Sequence, residues 1–203
     1  MLKLFISPGA CAMASHAALE EAGAEYETEV VNLRAGEQKR PEFLAVNPAG
    51  STPAMLTDEG PLTQNTAILG YIAQRFPERG LAPVDDAYRF ARFTAFNAFL
   101  ASSVHPMIGK VLFGGLEGEA RQQALDPALT KYELLERSLV EGPWVFGDSY
   151  THSDGYLAVF ERWARQAGLL DPARFPKLNA HLDAVQQRPA YRRMLEQEGL
   201  EPV

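Results

Sequence analysis

The only cysteine in this 203-residue chain, Cys11, lies in the segment Ser7-Pro8-Gly9-Ala10-Cys11-Ala12. An apolar run precedes this segment and an alanine-rich helical pattern follows it, so the segment predicts a turn from a strand into a helix. Backbone amides at a helix start carry partial positive charge, which stabilises a thiolate and makes the sulfur nucleophilic. The position therefore indicates thiol chemistry. The alternative is a small buried side chain without reactivity.

A second segment of interest is Asn47-Pro48-Ala49-Gly50-Ser51, which has the composition of a loop and leads into Thr52-Pro53. Proline cannot donate to a β-ladder, so Pro53 belongs at a strand edge or in a special turn. A cis bond before Pro53 would turn the N–H and C=O of Thr52 outward, where they could pair with an extended peptide ligand. The spacing alone leaves both isomers open.

Polar residues also open a predicted helix at Gln64-Asn65-Thr66-Ala67-Ile68. The free N–H groups of such a helix start can bind an anion. Capping of the helix by Asn65 is an equally good interpretation, because asparagine is among the best capping residues.

The four histidines show neither i,i+4 pairing nor partner cysteines, so we expect no metal site. His105 stands out because it closes a predicted long helix just before Pro106, where it could face the first half of the chain or stabilise the helix dipole. Thr151-His152-Ser153-Asp154 has the pattern of a capping box with Asp in place of Glu, and we assign Thr151 and Asp154 a structural role.

The elements that position these residues differ between two halves of the chain. Residues 2–6 predict a buried strand, residues 13–22 a helix ended by Gly23, and residues 26–31 a second, parallel strand. The turn after the first strand of such a unit opens at the carboxyl edge of the sheet, where ligands usually bind. Residues 54–56 and 62–63 predict an antiparallel hairpin, which a further helix follows. The order is β-α-β-loop-β-β-α.

The second half is helical in pattern. Helices are predicted at residues 85–104, 117–140, 154–167, 176–187 and 190–197. A segment punctuated by proline and glycine separates the two halves, as is typical of a domain boundary. The sequence thus predicts a domain of residues 1–77, a linker of residues 78–83 and an all-helical domain of residues 84–203.

The composition excludes several classes of function. A single cysteine forms no internal disulfide and no multi-thiolate zinc site, which agrees with a reducing compartment. A net charge of −7 argues against nucleic-acid binding, which needs a basic surface. No apolar run approaches the roughly 20 residues that cross a bilayer, and the N-terminus lacks a signal-peptide pattern. We expect a cytoplasmic protein that binds neither nucleic acid nor membrane.

Four segments together resemble cytosolic glutathione transferases, most closely the bacterial beta class. They are Ser7-Pro8-Gly9-Ala10-Cys11, Asn47-Pro48-Ala49-Gly50-Ser51-Thr52-Pro53, Gln64-Asn65-Thr66-Ala67-Ile68 and Gly147-Asp148-Ser149-Tyr150-Thr151-His152-Ser153-Asp154. Their order covers nearly the whole chain, and the class rests mainly on Cys11 and His105. The resemblance implies an α+β fold, in which a thioredoxin-like N-terminal domain with a mixed four-stranded sheet precedes an all-helical C-terminal domain. It also implies a homodimer.

The resemblance further implies a site for glutathione as co-substrate, without a metal. Thr52, on a cis Pro53, is expected to pair its backbone with the cysteinyl part of glutathione. Gln64 and Asn65 are expected to hold the γ-glutamyl end. Lys39 is the candidate for the glycine carboxylate, and Asn97 aligns approximately with a helix asparagine that approaches the site.

By the same resemblance, Cys11 approaches the glutathione sulfur and can form a mixed disulfide with it, and His105 reaches the same region. Helix amides, the Cys11 S–H or a charged His105 must then favour the glutathione thiolate, because a free thiol is only a few per cent ionised at neutral pH. Met107, Ile108 and Phe113 are expected to line a pocket for a small hydrophobic electrophile.

Two reactions follow from these expectations, and both are compatible with a role in detoxification. One is conjugation of glutathione to apolar electrophiles. The other is glutathione-dependent thiol–disulfide exchange through Cys11, with disulfide reductase or peroxidase activity. The alternative is a non-catalytic module of the same fold that binds ligands or proteins, since fold does not fix function.

Overall fold

The computed structural model describes residues 1–203, apart from the Leu139 side chain. The N-terminal part contains one mixed sheet with the strand order β2-β1-β3-β4. β1 is parallel to β2 and antiparallel to β3, which is antiparallel to β4. The strands are β1 (Leu2–Ile6), β2 (Tyr26–Val30), β3 (Ala54–Thr57) and β4 (Gly60–Thr63). This sheet confirms the predicted α+β class.

The sheet is covered on both faces, as the residues of its central strand require. Leu4 of β1 faces the main core, whereas its neighbour Phe5 packs on the opposite face against Phe43, with ring centroids 5.6 Å apart. Successive side chains of a strand point to opposite faces, so an apolar run of this kind demands cover on both sides. The edge strand β2 instead exposes Glu27 and Glu29.

Helix α1 (Met13–Ala22) packs on the main-core face and is buried over nearly its whole surface. Its small side chains allow close contacts: a Cβ on Gly155 would lie 3.9 Å from the Ala17 Cβ. Gly23 ends the helix in the left-handed conformation (φ 63°), and its N–H bonds back to the last turn. Helix α3 (Asn65–Arg75) lies beside α1.

The segment predicted as a loop between β2 and β3 contains a 3₁₀ turn, Glu37–Lys39, and a short helix, α2 (Pro41–Val46). The loop prediction is therefore wrong there. Six residues are too few for a recognisable helical period, and the helix is stabilised by burial of Phe43 under the sheet.

The C-terminal part is helical, as predicted. Its helices are α4 (Ala87–Phe99), α5 (His105–Phe113), α6 (Gly118–Leu134), α7 (His152–Gln166), α8 (Pro176–Gln187) and α9 (Pro189–Glu198). Among the described residues, none of the helices has the length and apolar character that crossing a membrane requires.

The long helix does not end at His105, contrary to our prediction. A π-helical segment, Leu100–Val104, joins α4 to α5, and the His105 N–H bonds to the Leu100 carbonyl five residues earlier. Pro106 has no backbone N–H to donate, so the regular pattern of helical hydrogen bonds is interrupted there. A π-helical turn accommodates such an interruption within a helix. His105 thus lies inside a nearly continuous rod rather than at its terminus.

Candidate functional site

A cavity of about 520 Å³ opens beyond the carboxyl end of β1. One wall is the turn of residues 7–11, and a second comes from residues 50–52 with Leu33, Arg34 and Gln38. The third wall is built by His105, Phe113 and Trp163 of the C-terminal helices. Four residues predicted for the site therefore line one cavity: Cys11, Thr52, His105 and Phe113.

Cys11 lies directly across from Thr52. Its S–H donates to the Thr52 carbonyl oxygen at an Sγ–O distance of 3.6 Å, and the Cys11 side chain is partly exposed. The Thr52–Pro53 peptide bond is cis, as the resemblance implies. Thr52 is 8% exposed and lines the cavity, so its backbone borders the space next to the thiol.

The protonation of Cys11 differs from the sequence-based expectation. Burial raises the pKa of the Cys11 thiol to about 11, and hydrogen bonds from its own backbone and from Asn65 only partly oppose this effect. We expected helix amides to favour the thiolate, but desolvation of the sulfur outweighs them. Cys11 is therefore a neutral thiol at pH 7, able to donate a hydrogen bond.

The side chain of Asn65 holds the turn that carries Cys11 through hydrogen bonds. Its Nδ2 donates to the Cys11 carbonyl oxygen at 2.9 Å, and its Oδ1 accepts from Ser15 Oγ at 2.6 Å. The capping interpretation of Asn65 is wrong, because Gln64 occupies the N-cap position and the Asn65 side chain is only 5% exposed. Asn65 thus joins α3 to the start of α1.

Gln64 has an unusual backbone. Its φ of 71° lies in the left-handed region, which residues other than glycine rarely adopt. The carbonyl of Gln64 accepts from the Ala67 and Ile68 N–H groups, so α3 starts immediately after it. Such strained conformations are concentrated at functional sites, where the surroundings fix them.

His105 lies in an aromatic environment. Its ring centroid is 5.4 Å from that of Phe160 and 5.4 Å from that of Trp163. Burial lowers the pKa of His105, because desolvation disfavours the charged imidazolium. A neutral His105 replaces the charged one that we considered as a stabiliser of the glutathione thiolate.

Four lining residues were missed by the sequence analysis: Leu33, Arg34, Gln38 and Trp163. Arg34 is exposed, and Gln38 has a buried Oε1 without a hydrogen-bond partner among the described residues. Trp163 donates from Nε1 to the Gly9 carbonyl oxygen at 2.9 Å. Of these residues, only Arg34 could have been found from the sequence, as a charged residue in the loop after β2. Trp163 could not, because it lies 154 positions further along the chain than the Gly9 that it contacts.

Other predicted residues do not belong to this lining. Lys39 is exposed next to Gln38, and Ile108 faces the core at 1% exposure. Met107 is half-buried on the same helix. Asn97 is fully buried in α4, and its amide atoms have no hydrogen-bond partner among the described residues. Their roles stay predictions.

Among the described residues, no three or more His, Cys, Asp or Glu side chains form a cluster that could hold a metal ion. The polar groups of the cavity are hydrogen-bond donors and acceptors, and they include a thiol, a backbone carbonyl, a side-chain amide, a guanidinium, an imidazole and two serine hydroxyls. Together with an aromatic wall, they can bind a polar, extended molecule beside an apolar one.

Comparison with known proteins gives consistent matches. Residues 1–74 match the family model for the glutathione S-transferase N-terminal domain, and residues 118–184 match that for the C-terminal domain. A Xanthomonas campestris protein named glutathione S-transferase GST-4.5 is 35% identical, over 98% of this chain and 100% of its own length.

Two solved structures are also similar to the whole chain. One is a sphingomonad glutathione S-transferase complexed with glutathione, with a TM-score of 0.88 at 36% identity. The other is a bacterial beta class glutathione S-transferase from Sphingomonas chungbukensis, with the same TM-score and identity. Each similarity covers 98% of this chain and 100% of the other.

Proposed function

This chain belongs to the glutathione S-transferase family, and from that premise we propose that it is a glutathione transferase which conjugates glutathione to small apolar electrophiles. The observation that carries the proposal is the Cys11 thiol, 3.6 Å from the Thr52 carbonyl oxygen inside one cavity with an aromatic wall. A thiol, a backbone segment that borders the cavity and an apolar surface are what a thiol peptide and its apolar partner need.

Glutathione is proposed to lie along Thr52, with its cysteinyl unit paired to the Thr52 backbone next to Pro53. Its γ-glutamyl end would then point to Gln64 and Asn65 at the start of α3, where helix amides attract a carboxylate. The glycine carboxylate is assigned to Arg34 and Gln38. Both line the cavity, and Arg34 supplies a positive charge.

When glutathione is bound, the Cys11 S–H turns from the Thr52 carbonyl oxygen and donates its hydrogen bond to the glutathione sulfur. A donor stabilises the thiolate over the thiol, so the pKa of bound glutathione falls and more of it is nucleophilic at neutral pH. The neutral His105 borders the same space and supplies a polar ring to the aromatic wall. The bound glutathione thiol releases its proton to solvent, the thiolate attacks the electrophile, and the leaving group departs with the bonding electrons.

The electrophile is proposed to bind against Phe113 and Trp163, whose rings meet edge to face at 5.3 Å. Phe113 is 69% exposed although it is a large apolar side chain, so a bound apolar molecule would remove its surface from water. Met107 and Ile108 belong to the same helix and would shape this wall from behind.

Thiol–disulfide exchange through Cys11 is the second candidate reaction. The cysteine is accessible from the cavity, which supports it. The raised pKa of Cys11 opposes it, because the thiolate is the attacking species in exchange. Conjugation is therefore the better supported activity.

We propose the division into residues 1–77, 78–83 and 84–203 as two domains and a linker. A homodimer is proposed as well, with the outer face of α4 as part of its interface, because Tyr88 on this face is 75% exposed. A cytoplasmic location and a role in detoxification complete the proposal.

Two measurements test the function. Calorimetry with glutathione measures binding, and turnover of a dinitro-substituted aryl chloride, followed by product absorbance, measures conjugation. S-methylglutathione is the control, since it should bind without being consumed. Absence of binding at millimolar glutathione would refute the proposal and favour a non-catalytic module.

A further inference from the structure

The turn that carries Cys11 is held by the C-terminal half of the chain at Gly9. The Gly9 N–H donates to Glu198 Oε2 at 2.9 Å, and the Gly9 carbonyl oxygen accepts from Trp163 Nε1 at 2.9 Å. Gly9 has φ 75°, a conformation that glycine adopts without strain. Both backbone polar groups of a residue two positions before the thiol are thus fixed by side chains from outside the N-terminal half.

Glu198 is itself held in one orientation. Its Oε1 lies 2.9 Å from Nδ1 of His16, and both side chains are fully buried. Nε2 of His16 lies 2.7 Å from Oε1 of Gln197, so both ring nitrogens have partners. A buried carboxylate whose two oxygens both accept hydrogen bonds has little freedom to rotate. It therefore holds the Gly9 N–H in a fixed position.

The end of α9 that presents Glu198 is also anchored. The final residue, Val203, donates its N–H to Gln186 Oε1 at 2.7 Å, and its carbonyl oxygen accepts from Arg165 Nη1 at 3.1 Å. Leu200 lies 3.9 Å from the position that a Cβ on Gly9 would occupy. The C-terminal segment therefore packs against the turn instead of fraying from it.

We propose that Glu198 is a positioning residue for the reaction: by holding the Gly9 N–H, it keeps the turn of residues 7–11 in the conformation that directs the Cys11 S–H at the glutathione sulfur. This inference rests on the proposed function. The groups assigned to bind glutathione, such as Thr52 and Arg34, lie outside the turn. Loosening the turn should therefore reduce kcat more than it changes the KM for glutathione.

The test compares three variants with the wild-type protein. Glu198→Ala removes the acceptor, Glu198→Asp keeps the charge but is one methylene shorter, and Glu198→Gln keeps an oxygen that can accept from Gly9. Glu196→Ala is the matched control, since Glu196 is an exposed glutamate of the same helix. Amide hydrogen exchange of residues 7–11 reports on the turn directly, independently of activity.

We expect kcat to fall about tenfold or more in the Ala and Asp variants while the KM for glutathione stays within about threefold. The Gly9 amide should exchange faster in these two variants, and the Gln variant and the Glu196→Ala control should behave as the wild type. If Glu198→Ala does not fold, the Asp and Gln variants carry the comparison.

A folded Ala or Asp variant with wild-type kcat would overturn the inference. A change confined to KM would also overturn it, and so would a Gln variant that loses as much kcat as the Ala variant. Either result would show that the effect does not arise from the hydrogen bond between the Gly9 N–H and residue 198. If the wild-type protein shows no glutathione-dependent turnover, the proposed function fails. Slow exchange of the Gly9 amide that Glu198→Ala abolishes would still establish the contact itself.

Discussion

In the proposed function, Cys11 acts as a hydrogen-bond donor, because desolvation of its sulfur keeps the thiol protonated. Its pKa of about 11 leaves only about one thiol in 10⁴ ionised at pH 7. A free cysteine at a helix start is usually activated, but here desolvation of the sulfur has the larger effect. In the proposed mechanism, Cys11 therefore contributes a protonated thiol as a hydrogen-bond donor and not a thiolate.

This role predicts that serine can substitute for Cys11. Cys11→Ser retains an O–H donor, so kcat/KM for conjugation should stay within about tenfold of wild type, whereas Cys11→Ala loses a hydrogen bond to a charged acceptor worth about 1.5–3 kcal/mol, or about 10- to 150-fold. The pKa of bound glutathione, read from thiolate absorbance against pH, should rise in the Ala variant. Equal loss of activity in both variants would show that the sulfur itself is required.

The glycine carboxylate provides a second test at the scale of single residues. Arg34→Ala should raise the KM for glutathione by about tenfold, because a charge-assisted hydrogen bond is lost, while kcat changes little. Lys39→Ala is the matched control: it removes a positive charge from the same loop, but Lys39 does not border the cavity. A larger rise of the glutathione KM in Lys39→Ala than in Arg34→Ala would assign the glycine carboxylate to Lys39, as the resemblance implies.

Buried charge holds the start of helix α7 in place. Asp154 Oδ2 accepts from the N–H and Oγ1 of Thr151, at 2.6 and 2.9 Å, and these residues form the predicted capping box. The other oxygen, Oδ1, accepts from the Val145 N–H at 2.6 Å and from His181 Nε2 at 3.0 Å. His181 also bonds to Glu161, so one imidazolium bridges two buried carboxylates.

The capping box predicts a graded loss of stability. Thr151→Ala should lower the free energy of unfolding by about 1–2 kcal/mol, the usual effect of losing a helix cap. Asp154→Asn should lower it by about 3–5 kcal/mol, because it leaves the His181 charge without one of its buried partners. Urea unfolding followed by circular dichroism measures both, and equal effects of the two substitutions would contradict this account.

His181 should also make stability depend on pH. Burial acts to lower its pKa, but the carboxylates of Glu161 and Asp154 raise it from its ordinary value of 6.5 to about 10. Between these values the folded protein binds a proton that the unfolded chain releases. The stabilisation is complete below pH 6.5 and decreases towards pH 10, by at most about 1.4 kcal/mol per pH unit.

The measurement for this prediction is urea unfolding at several pH values between 6.5 and 10. His181→Gln should flatten the decline in the free energy of unfolding relative to wild type. His152→Gln provides a control at a second buried histidine, because burial lowers the pKa of His152 to about 3 and it does not titrate in this window. An unchanged slope in His181→Gln would refute the assignment.

At the scale of the whole molecule, the two halves share one core around α1. Arg188 forms a two-point ion pair with Glu21, with N–O distances of 2.5 and 2.7 Å, and Arg193 Nε lies 2.7 Å from Glu20 Oε2. Burial of the apolar face of α1 under α7 and α9 contributes more, since partly exposed ion pairs add little. The halves should therefore unfold together.

We expect residues 1–77, expressed alone, to lack stable tertiary structure, because α1 would expose the side chains that now pack against the C-terminal helices. Circular dichroism and amide exchange of the fragment would test this. In the intact protein, tryptophan fluorescence and far-ultraviolet dichroism should give coincident urea transitions. A folded fragment, or two separate transitions, would show that the domains are independent.

The sequence by itself determined the elements whose signals are local: β1, α1 with its Gly23 stop, the β3–β4 hairpin and the capping box of α7. It also placed Cys11 at a strand-to-helix turn, because an apolar run followed by a helical period is readable over about 20 residues. The sequence analysis did not predict the short helix α2 or the π-helical segment before His105. Burial of a side chain determines the first and a proline the second, and neither produces a hydrophobic period.

Only the tertiary structure decided the properties of the site. The pKa values of Cys11 and His105 follow from burial by residues far away in the chain, which reverses what their local positions indicated. The contacts of Gly9 with Glu198 and Trp163 join positions 189 and 154 residues apart. The dielectric environment of a side chain and its long-range hydrogen bonds depend on all the residues packed around it. They cannot be predicted from any local segment of the sequence.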